Sequence, residues 1–131
     1  MVASWLMHGR VDSLAERYLD VIGERRIVVA FETVTELLCG ALYAGWGELR
    51  RRALDRSLTR RPTVRPDDRM ITLCAELRHQ CAQVGHALAA KVHDGDRWIA
   101  ATALRVGGVV VSHDGIFADV PGVDLLTLLS E

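Results

Sequence analysis

Short apolar, β-branched runs alternate along this chain with longer stretches whose apolar residues recur at helical spacing. Residues 26–31, 109–112 and 123–126 have strand character, and 62–65 form a weak edge-strand candidate between two prolines, as edges tolerate. Residues 33–43, 48–58, 67–84 and 96–106 have helix character, the last stopping at Gly107-Gly108. Gly85 to Gly95 is expected to be a loop with a turn of helix in it. Strands separated by helices imply a parallel sheet with helices on both faces. One end departs from this scheme. From Val2 to Ile22 the spacing is helical, broken at Gly9, whereas such a sheet normally begins with a strand that feeds its first helix.

At 131 residues the chain suits one domain, large enough to bury about 65–70% of the surface its unfolded form exposes. Half of the residues are hydrophobic and a quarter charged, a globular balance, and the net charge of −1 gives no global attraction to nucleic acid. The cations are unevenly spread. Arg50, Arg51, Arg52, Arg56, Arg60, Arg61 and Arg65 share one segment with a single acid, Asp55. Such a run can hold phosphates, with Arg50, Arg51, Arg60 and Arg61 as candidate RNA or partner contacts, or be a solvated helix face. Cys39, Cys74 and Cys81 form no C-x-x-C pair, which argues against a disulfide framework or zinc site. No apolar run approaches a membrane span, and the start lacks the basic lead of a secretory signal. A soluble protein of a reducing compartment, the cytoplasm, is expected.

Three acids fall where strand-like runs give way to helix-like ones. Glu36 follows Val-Ala-Phe-Glu-Thr-Val-Thr, Asp96 opens Asp-Arg-Trp-Ile-Ala-Ala-Thr-Ala, and Asp114 follows Val-Val-Val-Ser-His. In an alternating α/β chain these junctions line one sheet edge, at the carboxyl ends of the strands, where ligands usually bind. Carboxylates gathered there repel unless a cation joins them, and oxygen ligands suit Mg²⁺ or Mn²⁺. Together the three point to metal-dependent hydrolysis of phosphodiesters. Each also has a plainer role. Thr33-Val34-Thr35-Glu36 matches a capping box. Asp96, or Asp94 in its place, can cap a helix. Asp114-Gly115 is a turn signal. His113 stands within reach of a phosphate or is an exposed loop histidine. No Ser/His/Asp set, phosphate-cradling glycine loop or dinucleotide fingerprint is present.

Three segments carry a resemblance: Phe31-x-Thr33-Val34-x-Glu36-Leu37-x-x-Gly40-Ala41, then Asp96-Arg97-Trp98-Ile99-Ala100-Ala101-Thr102-Ala103, then Val111-Ser112-His113-Asp114-Gly115-Ile116-Phe117 followed by Pro121-Gly122-Val123. In this order they resemble a PIN domain, and within that family the VapC ribonuclease toxins of bacterial VapBC toxin–antitoxin pairs. The resemblance implies a single PIN-like domain over residues 1–131. Its fold would be an α/β three-layer sandwich with a parallel sheet of four to five strands flanked by helices. It implies an acidic pocket for Mg²⁺ or Mn²⁺ made by Glu36, Asp96 and Asp114, with Thr33 and Ser112 as supporting hydroxyls. It further implies RNA as substrate, cut to 5′-phosphate and 3′-hydroxyl ends, and an antitoxin that blocks the pocket; separately, helical faces near the amino end offer a surface for a homodimer.

Departures from the family pattern bear on these expectations. Ile116 stands where an acid is common, and Gly95 where asparagine is common. Met1-Val2-Ala3-Ser4-Trp5-Leu6 looks like the family's opening motif from its third position onward, so its first strand and first aspartate are expected upstream of Met1. A chain without that acid would bind metal weakly and cut poorly. The alternative function is therefore a PIN-like module that holds antitoxin or RNA without cleaving it.

Overall fold

The computed structural model describes residues 2–3 and 13–129. Five short strands run parallel: β1 (Val2–Ala3), β2 (Val29–Ala30), β3 (Thr63–Val64), β4 (Val109–Val111) and β5 (Asp124–Leu126). β4 pairs with β1 and β5, and β2 pairs with β3. Because β1 also lies in contact with β2, it stands at the centre, between β2 and β4. The helical spacing read from Val2 onward is corrected here, because Val2 and Ala3 are strand. The place beside β4 is held by Val2 opposite Val110 and Ala3 opposite Val111. Two residues give too short an alternation to be told from the helical spacing that follows them. The short helix expected before Gly9 lies outside the described residues.

Five α-helices are described: α1 (Ser13–Ile22), α2 (Phe31–Tyr43), α3 (Glu48–Thr59), α4 (Asp68–Gln83) and α5 (Asp94–Val106). Side chains alternate across the strands, so each pair of neighbours serves two layers. Ala30 and Val110 enter one core with Leu77 and Cys81 of α4, Ile99, Ala100 and Ala103 of α5, and Leu88, Phe117 and Val120. Val111 turns the other way, to Tyr18 and Ile22 of α1, Ile27 and Leu128. Val29 meets Leu37 and Ala41 of α2 and Leu54 of α3. The result is the expected three-layer arrangement, with α3 joined to it through Leu54. No helix among the described residues is long and apolar enough to cross a membrane.

α5 runs at the centre of the larger core because small residues let it approach closely. Ala100, Ala101, Thr102 and Ala103 are buried on it beside Ile99, whose burial alone stabilises by about 2 kcal/mol. It ends where Gly107 adopts φ 66°, and the Gly107 and Gly108 N–H groups bond back to Leu104 and Ala103 at 3.3 and 2.9 Å. That left-handed position is why glycine stands there. α4 starts at Asp67, whose carboxylate accepts from the Met70 N–H at 2.8 Å and pairs with Arg105 of α5. Between α4 and α5 the chain makes two single 3₁₀ turns, Ala87–Ala89 and Lys91–His93.

Candidate active site

Both helices that carry candidate acids begin earlier than their sequence pattern predicts. The strand expected over 26–31 is reduced to Val29–Ala30, and α2 opens at Phe31, with Ala30 as an extended N-cap that offers no side-chain bond. Thr33 thereby becomes an interior helical residue and Glu36 lies in the second turn, too far along to close a capping box. α5 opens at Asp94, so Asp96 is its third residue and not its N-cap. The earlier starts free the Glu36 and Asp96 carboxylates from the plainer roles their neighbours suggest.

α2 and α5 are brought together by their opening turns. The Phe31 and Trp98 rings meet edge to face, 5.3 Å between centroids. Glu32, which the sequence pattern did not single out, reaches across to α5: a Cβ placed on Gly95 would stand 3.0 Å from its Oε1. Glycine at 95 makes room for that carboxylate beside the positive end of a helix. Its signal in the sequence was the Glu32–Glu36 i, i+4 spacing, which becomes visible once the helix start is set at Phe31.

Glu36 records the crowding. Its carboxyl is pushed above the usual carboxylate range, first by partial burial, then by the charge of Glu32, then by that of Asp96. Asp96 Oδ2 stands 3.1 Å from His93 Nδ1, a contact that fixes the carboxylate against the preceding 3₁₀ turn. Asp94 pairs with Arg97, a guanidinium only 3% exposed that also donates to the Leu88 and Ala90 carbonyls at 2.7 Å each. Arg97 thus ties the loop before α5 to the helix that follows it. An arginine inside an alanine-rich run, three residues after an acid, was the available sign of this role.

Asp114 has a different setting. Its Oδ1 accepts from the Ile116 N–H at 3.0 Å and caps the 3₁₀ turn Gly115–Phe117, so the turn-forming role is realised. The buried Ser112 hydroxyl accepts from the Asp114 N–H at 3.0 Å. Behind this turn Tyr18, fully buried, places its hydroxyl 2.7 Å from His113 Nδ1 and accepts from the Leu128 N–H at 2.8 Å. Among the described residues no three Asp, Glu, His or Cys side chains form a group that could hold one ion.

The donor chemistry still suits a hard cation. Mg²⁺ is commonly held by one or two carboxylates plus waters and substrate phosphates, and Glu36 with Asp96 supplies two. Repulsion of Glu36 by Glu32 and Asp96 is what such an ion relieves. Thr33 Oγ1, one turn before Glu36, is buried without a hydrogen-bond partner among the described residues, a polar atom left for a bound group to satisfy. The arginine run lies elsewhere. Arg50, Arg51 and Arg60 are exposed on α3 or at its end, Arg61 follows half-buried, and Arg50 stacks 4.0 Å over Trp46.

Against known proteins, the PIN-domain family model matches residues 2–123. No curated protein matches the sequence. Three solved structures share the fold. VapBC2 from Rickettsia felis, bound to a DNA fragment from its promoter, is similar with TM-score 0.78 and 18% identity over 97% of this chain and 98% of that one. VapBC-1 from nontypeable Haemophilus influenzae gives 0.73 and 23% over 97% and 96%. VapBC-5 from Mycobacterium tuberculosis, a member of the VapBC family of toxin–antitoxin systems, gives 0.67 and 25% over 96% and 94%. Matched from β1 to the threshold of β5, and folded like chains of VapBC toxin–antitoxin complexes, this chain belongs to the PIN-domain family.

Proposed function

We propose that the chain is a Mg²⁺- or Mn²⁺-dependent endoribonuclease, the toxin of a type II toxin–antitoxin pair. The PIN domain is a nuclease family, which sets the class. One observation carries the finer reading: Glu36 feels the charges of both Glu32 and Asp96, the latter sixty positions away in the chain, and Glu32 reaches the opening turn of α5 at Gly95. In this reading Glu36 and Asp96 hold the ion, Asp114 faces the substrate or completes the ligand set, and Thr33 supports the ligand shell. A divalent ion, when bound, supplies charge neutralisation at the scissile phosphate and acidifies a coordinated water. The chain's own residues position: His93 orients Asp96, Ser112 fixes the turn that bears Asp114, and Tyr18 holds His113 beside it. Products carry 5′-phosphate and 3′-hydroxyl ends.

The test is cleavage of single-stranded RNA with added Mn²⁺, by the chain and by its Glu36→Gln and Asp96→Asn variants. Each substitution is expected to lower the rate by about two orders of magnitude or more. Equal, metal-dependent cleavage by all three defeats the assignment. A second reading, a module that binds antitoxin or RNA without cutting, is favoured by the isolation of Asp114 within its own turn and by the lack of a three-ligand group among the described residues. Absence of Mn²⁺-dependent cleavage, with RNA or antitoxin binding kept, selects it.

An antitoxin partner belongs to the same proposal. The α2–α3 arm displays Leu42, Tyr43 and Leu49, 66%, 88% and 82% exposed, beside a groove of about 270 Å³ lined by Leu38, Ala41, Arg51 and Leu54. Apolar display of this kind, rimmed by Arg50 and Arg51, suits a partner helix. Arg60 and Arg61 remain candidates for RNA. Exposed Leu19 and Val21 on α1 support homodimer pairing through that helix. The reading locates the protein in the cytoplasm.

A further inference from the structure

A groove of about 620 Å³ runs between α4 and the first turn of α5, apart from the acidic edge but sharing Trp98 with it. Its α4 wall is a single helical stripe, Ile71, Cys74, Ala75, Arg78, His79 and Ala82, and its α5 wall is Asp94, Arg97 and Trp98. Residues 94, 97 and 98 fall on one side of α5, while Glu32 approaches the same turn at Gly95. The groove is thus adjacent to the carboxylates through one turn of helix. Its volume is in the range of small-ligand sites.

Charge in the groove favours an anion. Arg78 and Arg97 stand near enough for their charges to oppose each other, and only Asp94 offsets them. Arg97 is spent on Asp94 and two carbonyls. Arg78 is anchored by its Nε to the Ala89 carbonyl at 3.2 Å, and its terminal amino groups have no partner among the described residues. His79 is exposed beside it. Trp98 is held edge-on by Phe31, which leaves an oriented aromatic wall. A cationic groove beside an aromatic wall is how single-stranded nucleic acid is gripped without reading its sequence, and Arg78 supplies the charge not already used within the fold.

We propose that this groove receives a nucleotide of the substrate strand next to the scissile bond, its base against Trp98 and its phosphate at Arg78 and His79. The inference rests on the RNA-cleaving reading and adds a second, positively charged subsite to it. Cys74 gives a readout independent of cleavage, since its half-buried thiol lines the groove while Cys39 is exposed on α2.

The experiment measures binding of a short fluorescein-labelled oligouridine to the full chain in EDTA, where no cutting occurs, together with alkylation of Cys74 and Cys39 by N-ethylmaleimide. The oligonucleotide is expected to slow alkylation of Cys74 and not of Cys39. The double variant Arg78→Ala/His79→Ala is expected to bind about tenfold more weakly and to lose that protection. Unchanged affinity in the double variant, with Cys74 unprotected in the parent, overturns the subsite. So does unchanged affinity accompanied by a shift in sedimentation, which makes the groove a contact between copies of the chain. If the parent protects Cys74 yet never cleaves RNA with Mn²⁺, the subsite stands and the catalytic reading falls.

Discussion

Single side chains give the sharpest expectations. The raised folded-state pKa of Glu36 contributes stability that is present below its unfolded value of 4.5 and is lost as pH rises through the folded one. At neutral pH its charge is therefore a burden on the fold. Glu36→Gln should be equal to or a few tenths of a kcal/mol more stable than the parent near neutrality. The difference should vanish below the unfolded value, as thermal unfolding at both pH values would show. Thr33→Val replaces a buried, unpartnered hydroxyl by a methyl group of similar shape. Without metal it should stabilise by about 1 kcal/mol in urea titration; a loss of that size would mean the hydroxyl has a partner in solution. Tyr18→Phe removes the acceptor for the Leu128 N–H and the contact to His113, and should cost about 1–3 kcal/mol.

At the scale of elements, α5 decides most. Arg97→Met would leave the Leu88 and Ala90 carbonyls without their donor and Asp94 without its partner. A loss of about 2–4 kcal/mol is expected, with faster amide exchange over 86–93 than elsewhere in the larger core. Uniform exchange would show that Arg97 does not staple that loop. This level also shows what the sequence makes readable. The long helices, the β4 run Val109–Val111 and the stop at Gly107 are visible because each rests on local spacing or a backbone demand. The starts of α2 and α5 lie two residues before those the sequence predicts, because Thr33 and Asp96 imitate caps while Phe31 packs on Trp98 at the junction of the two helices. β1 was hidden because two residues carry no period.

At the scale of the molecule, the layered order of strands and helices was legible. Which acids meet was not, since that depends on side-chain reach across the α2–α5 junction. Glu32 entered through glycine at 95, and Asp114 settled into its own turn. The exposed α2–α3 arm was visible only as an arginine run, because exposure of Leu42, Tyr43 and Leu49 depends on how α3 packs against α2 and Val29 of β2. The proposed function rests on a divalent ion shared by Glu36 and Asp96. Isothermal titration of Mn²⁺ into the full chain, and into its Glu36→Gln and Asp96→Asn variants, examines that sharing without any substrate. Saturable binding by the parent, weakened about tenfold or more in each variant, is the expected result. Equal affinity in all three, or no binding by the parent, would contradict it.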